Sequence, residues 1–110
     1  INVDMIGDRD LGILQEMYSS AALRTRVWNA ARRLGYGRHF LEESSAVEDD
    51  HVAFVRRGVN AVNLIDFEYG PGNFWWHTER DTMDKLGAAS FQAVGAVVLA
   101  VIEELERGEP

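Results

Sequence analysis

The chain has 110 residues, 46% of them apolar and 10% aromatic, which fits one domain with a packed core and excludes a disordered or fibrous protein. A formal charge of −7 at pH 7 excludes the basic footprint that phosphate backbones require, so no nucleic acid is expected as a partner. With no cysteine there is neither disulfide nor thiolate ligand, and any metal must rest on imidazole and carboxylate.

The opening residues, Ile1-Asn2-Val3-Asp4-Met5-Ile6-Gly7, alternate apolar and polar and stop at a glycine, which predicts a strand and a turn with Asp4 near the strand's end. Leu11 to Met17 predicts a second short strand. Ser19 or Ser20 is an N-cap for a helix to about Leu34, with Leu23, Val27, Ala31 and Leu34 on one face and Gly35 placed to end it. Arg24, Arg26, Arg32 and Arg33 belong to that helix's surface and call for no partner. Phe40 to Glu43 predicts a brief strand, and Asp49 or Asp50 caps a short helix through Val52 and Val55, stopped by Gly58.

Val59 to Ile65 is almost continuously apolar and β-branched, the pattern of a central strand covered on both faces. Tyr69 to Asn73 is turn chemistry. In the last helix Phe91, Val94, Val98, Val101, Ile102 and Leu105 form one stripe, and Gly108 ends it. Glu103 and Glu104 interrupt the longest apolar run, so no membrane span is expected. No signal peptide is legible, the first residue is Ile rather than Met, and the compartment is left open. The order of elements predicts an α/β fold with helices on a largely parallel sheet. Working loops leave the carboxyl ends of such strands, which points to Asp4 and to the loop after Ile65.

Within that loop His77 follows Phe74, Trp75 and Trp76, which frame its ring, and a turn-rich segment precedes it. A histidine so held reads as a fixed metal ligand or acid–base group; the plain alternative is an exposed loop residue. Asp4 reads as a ligand or as a turn residue. Glu48, Asp49 and Asp50 before His51 read either as a solvated helix start or as carboxylates turned inward to orient an imidazole or exchange a proton. Trp75 and Trp76 are core or the wall of an apolar pocket. Asp81 and Asp84 are helix-entry or surface residues, or groups supporting the imidazole.

The segment EDDHVAFVRRGVNAVNLIDFEYGPGNFWWHTERDTMDKL, with NVDMIGDRDL before it, resembles the C-terminal part of the glutaminyl-peptide cyclotransferase and zinc aminopeptidase superfamily, metallopeptidase family twenty-eight. The resemblance covers the whole chain in order. It implies a three-layer α-β-α zinc exopeptidase fold, with residues 1–110 a single incomplete domain of it. It also implies that His77 is a zinc ligand. Asp4 would bind a second zinc in the two-metal aminopeptidases, or join the acid–base network of the one-metal cyclases. Asp49 would be the catalytic aspartate, with Asp50 beside it and His51 in support, and Trp76 with Trp75 would line the substrate pocket.

The family's upstream His-x-Asp segment and adjacent Glu-Glu pair have no counterpart here, since Glu42-Glu43 and Glu103-Glu104 fall in the wrong order. The resemblance therefore implies a C-terminal fragment of a zinc-dependent aminopeptidase-like hydrolase acting on peptide N-termini, inactive alone, with one or two zinc ions in the complete enzyme. The alternatives are a one-zinc cyclase of N-terminal Gln and a non-catalytic interaction module. Family members are often secreted or periplasmic. Exposed sheet edges would call for a homo-oligomer or a complementing N-terminal segment.

Overall fold

The structure, a computed structural model, describes residues 1–108. Its elements are β1 (Asn2–Asp4), β2 (Ile13–Glu16), α1 (Ala21–Arg33), β3 (Phe40–Ser45), α2 (His51–Arg56), β4 (Asn63–Ile65) and α3 (Ala88–Glu106), with three short 3₁₀ turns between them. β1 runs parallel to β4 in the register Asn2 to Asn63, Val3 to Leu64 and Asp4 to Ile65. β2 runs parallel to β3, with an irregularity between Ile13 and Gln15. The two pairs are separate two-stranded sheets, and they meet where β4 packs beside β2. The α/β class with parallel strands is as the sequence predicts.

β1 is shorter than the alternation implied, because Met5 takes a left-handed φ of 52° and turns the chain out of the strand just after Asp4. β4 is also shorter, yet the whole stretch from Ala61 to Asp66 is buried, as a strand covered on both faces should be. β3 runs on to Ser45. Ser20 does precede α1, but its hydroxyl accepts the Ala61 N–H at 2.9 Å instead of capping the helix.

The core joins Ile13, Val27, Phe40, Leu64, Val94 and Val97, among others. Trp28 closes one side: its ring meets Phe40 edge-on at 5.4 Å, and its indole N–H donates to the Leu41 carbonyl at 2.8 Å. The α1 face is rotated from the expected one, with Val27, Trp28, Ala30 and Ala31 inside and Leu34 exposed.

The buried face of α3 is Ala93, Val94, Val97 and Val101. Phe91, Ile102 and Leu105, expected on that stripe, are exposed together with Leu99. α3 is apolar on two sides, so the stripe chosen from sequence mixed its faces. The helix is also long and apolar enough to cross a bilayer by length and composition, because Glu103 and Glu104 come only in its last turn.

The arginines of α1 are partnered. Arg26 and Arg33 both bind Glu104 of α3, the former at 3.2 Å. Burial by itself would raise the Glu104 carboxyl, but the two guanidiniums outweigh it and hold it below the usual range.

The facing of α3 is testable by truncation. Val97→Ala, at a position with 0% exposure, is expected to cost on the order of 2 kcal/mol of unfolding free energy. Leu99→Ala, at 62% exposure, should stay within about 0.5 kcal/mol of the parent. Denaturant titrations giving equal losses at the two positions would contradict the assignment.

Candidate functional site

Tyr69 is the post around which the loop after β4 is wound. Its N–H donates to the Asn73 side chain at 2.9 Å, and its carbonyl accepts the Trp75 N–H at 3.1 Å. Its hydroxyl donates to Asp81 Oδ1 at 2.6 Å. Burial, then the Asp81 carboxylate, pushes the Tyr69 hydroxyl up to about 12, so it remains a donor. The ring meets Trp75 edge-on at 5.4 Å. At Gly70, where φ is +76°, a Cβ would fall 2.4 Å from the Trp75 ring, so only glycine allows this close packing.

Asp8 ties the loop to the rest of the chain. Its buried carboxylate accepts N–H groups from Asp10 at 2.9 Å and Gly70 at 3.2 Å, and its carbonyl accepts the Ser90 hydroxyl of α3.

A pocket of about 460 Å³ opens between the end of β1 and this loop, bringing Asp4, Trp76 and His77 together with Tyr69, Asp81 and Phe91. The His77 ring stacks on Trp76 at 4.1 Å with 19° between planes, and Trp76 leans on Phe67 at 5.1 Å. His77 itself has a left-handed φ of 54°, and Met5 across the pocket shares that conformation. Non-glycine residues held there store about 1 kcal/mol or more each, and such strain concentrates at ligand clamps and active sites. Trp75 does not line this pocket; it packs on Tyr69 and Gly70 with the Lys85 ammonium 5.2 Å from its ring centre.

Asp49 reaches the other side of Asp4. The two carboxyls are close enough to act on one another electrostatically. Asp4 is held above its usual range first by withdrawal of the carboxyl from water, then by the Asp49 carboxyl and its charge, against a lowering contribution from the Met5 N–H. Asp50 is exposed and adds only a like charge. The His51 ring makes no hydrogen bond to Asp4 or Asp49. It is buried, with Nε2 at 2.6 Å from Glu16 Oε1 and Nδ1 without a hydrogen-bond partner.

The donors brought to the pocket suit zinc in kind, imidazole from His77 and carboxylate nearby. They do not suffice in number. Among the described residues no three His, Asp or Glu side chains converge on one point, and Asp4 has the like-charged Asp49 carboxyl near it.

Glu16, Tyr69, Asp8 and Asp66 are site-shaping residues that the sequence pattern does not single out. Asp66, buried at the end of β4, accepts the Gly12 and Glu68 N–H groups, and its burial lifts it to about 6. A charge ending an apolar run is the one signal that marks it.

The family profile for peptidase family M28 matches residues 1–102. No curated protein matches. Among solved structures, the glutaminyl cyclase of an Acidobacteriales bacterium is 39% identical with a TM-score of 0.88, over 92% of this chain and 36% of that one. The glutaminyl cyclase of Porphyromonas gingivalis is 30% identical with a TM-score of 0.83, over 94% and 38%. A leucine aminopeptidase precursor from Bacteroides thetaiotaomicron is 34% identical with a TM-score of 0.80, over 91% and 35%. The chain thus spans little more than a third of the length of these structures.

The carboxyl pair is accessible to titration. A carboxyl with a raised folded pKa stabilises the fold in its protonated form; that contribution is full below the ordinary value of 3.8 and is lost as pH rises through the raised one. In Asp49→Ala, Asp4 should titrate lower than in the parent, part of the way back to 3.8, because the partial desolvation of this exposed residue in the pocket wall remains while the partner is gone. Carboxyl-carbon NMR reads this directly, and an unchanged Asp4 titration would mean that Asp49 contributes nothing to it.

Proposed function

The chain belongs to peptidase family M28, and from that premise we propose that it carries the histidine and proton-handling side of a one-zinc site that cyclises the N-terminal Gln of peptides. The observation that carries this reading is the placing of Asp4 in one pocket with Trp76 and His77 and beside the Asp49 carboxyl. An aspartate that ligates a second zinc must offer free, ionised oxygens; Asp4 instead lies beside a second carboxyl that raises its affinity for a proton. The glutaminyl cyclases among the similar structures support the same choice.

In cyclisation the substrate's own α-amine attacks its γ-amide carbonyl, the bond to the amide nitrogen breaks, and ammonia leaves with a proton that began on the amine. A pair of neighbouring carboxyls suits that transfer, because it can accept and return a proton without a large change in charge. Trp76 presents its ring to the pocket and would pack along the substrate's aliphatic stem. His77, fixed by its stack and its backbone, would be one imidazole ligand of a zinc that polarises the γ-carbonyl when bound. The remaining ligands are not among the described residues, so this chain by itself is expected to be inactive.

The second reading is an aminopeptidase-like hydrolase, towards which the HTERDTMDKL run and the leucine aminopeptidase precursor incline. It requires Asp4 to leave Asp49 and bind metal.

Elemental mass spectrometry after zinc loading and dialysis is expected to find zinc in the complete enzyme and a loss of most of it in its His77→Ala variant, with little retained by residues 1–110 alone; equal zinc in the complete enzyme and its variant would remove His77 as a ligand. A Gln-initiated peptide followed by mass spectrometry then separates the readings. Loss of ammonia supports cyclisation, release of free Gln supports the hydrolase, and an intact peptide supports a chain inactive by itself.

A further inference from the structure

Glu16 ends β2 with 1% of its surface exposed. Its carboxylate accepts from the Tyr18 N–H at 2.8 Å, the Ser19 hydroxyl at 2.9 Å, the Val47 N–H at 3.1 Å and His51 Nε2 at 2.6 Å. Burial by itself would raise this carboxyl, but those donors hold it below its usual range, so it is a buried anion.

The placement of two of these donors is informative. Val47 and His51 flank Glu48-Asp49-Asp50, so one carboxylate grips the acidic segment at both ends. Between the grips the backbone is set by the Asp50 N–H on Asp49 Oδ1 at 2.8 Å and the Val52 N–H on the Asp49 carbonyl at 3.1 Å.

The other side of the network leads to Asp4. The Ser19 hydroxyl, which donates to Glu16, accepts the Asn63 N–H of β4 at 2.9 Å. Asn63 stands opposite Asn2 of β1 and accepts its side-chain amide at 2.9 Å, and two residues along β1 is Asp4. One buried anion therefore references Asp49 to the strand pair that carries Asp4.

We propose that Glu16 is the positioning residue of the Asp4–Asp49 pair, acting through His51 and Val47 to hold Asp49 against Asp4. Its value to catalysis rests on the cyclase reading above, whereas the placement itself does not. Glu16 does not line the pocket that holds Asp4 and His77, so its effect on Asp49 is transmitted through Val47 and His51.

A purely structural role predicts that variants loosen the whole fold without a selective effect on the pair. The test therefore uses conservative rescue, with Asp4 followed by carboxyl-carbon NMR on the 110-residue protein, free of zinc and substrate. His51→Leu fills the space but cannot donate to Glu16, while His51→Gln keeps a side-chain amide donor. The expected result is that the raised Asp4 titration falls towards its ordinary value in His51→Leu and in Glu16→Gln, and is retained in His51→Gln.

A folded His51→Leu with unchanged Asp4 titration would overturn the proposal, and so would equal loss in His51→Gln. Unfolding of all three variants would assign the contact to stability and overturn it as well. Because the readout needs no metal, a chain without cyclase activity but with the expected pattern would sink only the functional reading.

Discussion

A carboxylate removed from water costs several kcal/mol unless donors surround it, and the burial of Glu16 imposes that condition on half of this fold. Its donors come from the turn after β2, from the link between β3 and α2, and from the first residue of α2. These segments cannot shift independently without leaving a buried charge short of a partner. Ser19 extends the same constraint to β4. The segment carrying Asp49 is thus held by a group on β2, while one oxygen of the Asp49 carboxyl accepts the Asp50 N–H and the side chain lies near Asp4.

The opposite wall of the pocket is fixed by another principle. There the loop after β4 is wound on Tyr69 and locked by ring packing, with Gly70 admitting the Trp75 ring where no side chain fits. The left-handed backbone of His77 is tolerated because the surrounding contacts determine it. A polar bracket on one side and an aromatic one on the other leave the side chains between them little freedom, the condition under which the proposed site would gain from prepaid orientation.

The α/β class was legible because element order and hydrophobic period are local properties: alternation in β1, the apolar run before Asp66 and the glycine stops all read directly from the chain. The face of α3 was not, since a helix apolar on two sides has no single stripe to choose. The placing of Asp4, Asp49, Trp76 and His77 about one site follows the family resemblance, on residues that carry visible motifs. Trp75 shows the limit of that reasoning, because neighbouring tryptophans in a tight loop face different ways, and one packs while the other lines the pocket. Glu16 was invisible: a glutamate in Leu-Gln-Glu-Met carries no local signal, and its role arises from partners 31 and 35 residues away.

On the proposed reading Asp4 works beside Asp49 and not in a second metal site. The most direct measurement is a crystal structure of the zinc-soaked complete enzyme with anomalous scattering at the zinc edge. The account predicts a single peak at the His77 imidazole with the Asp4 carboxyl still beside Asp49. Two peaks with Asp4 bound to one of them, or zinc at Asp4 and none at His77, would contradict it.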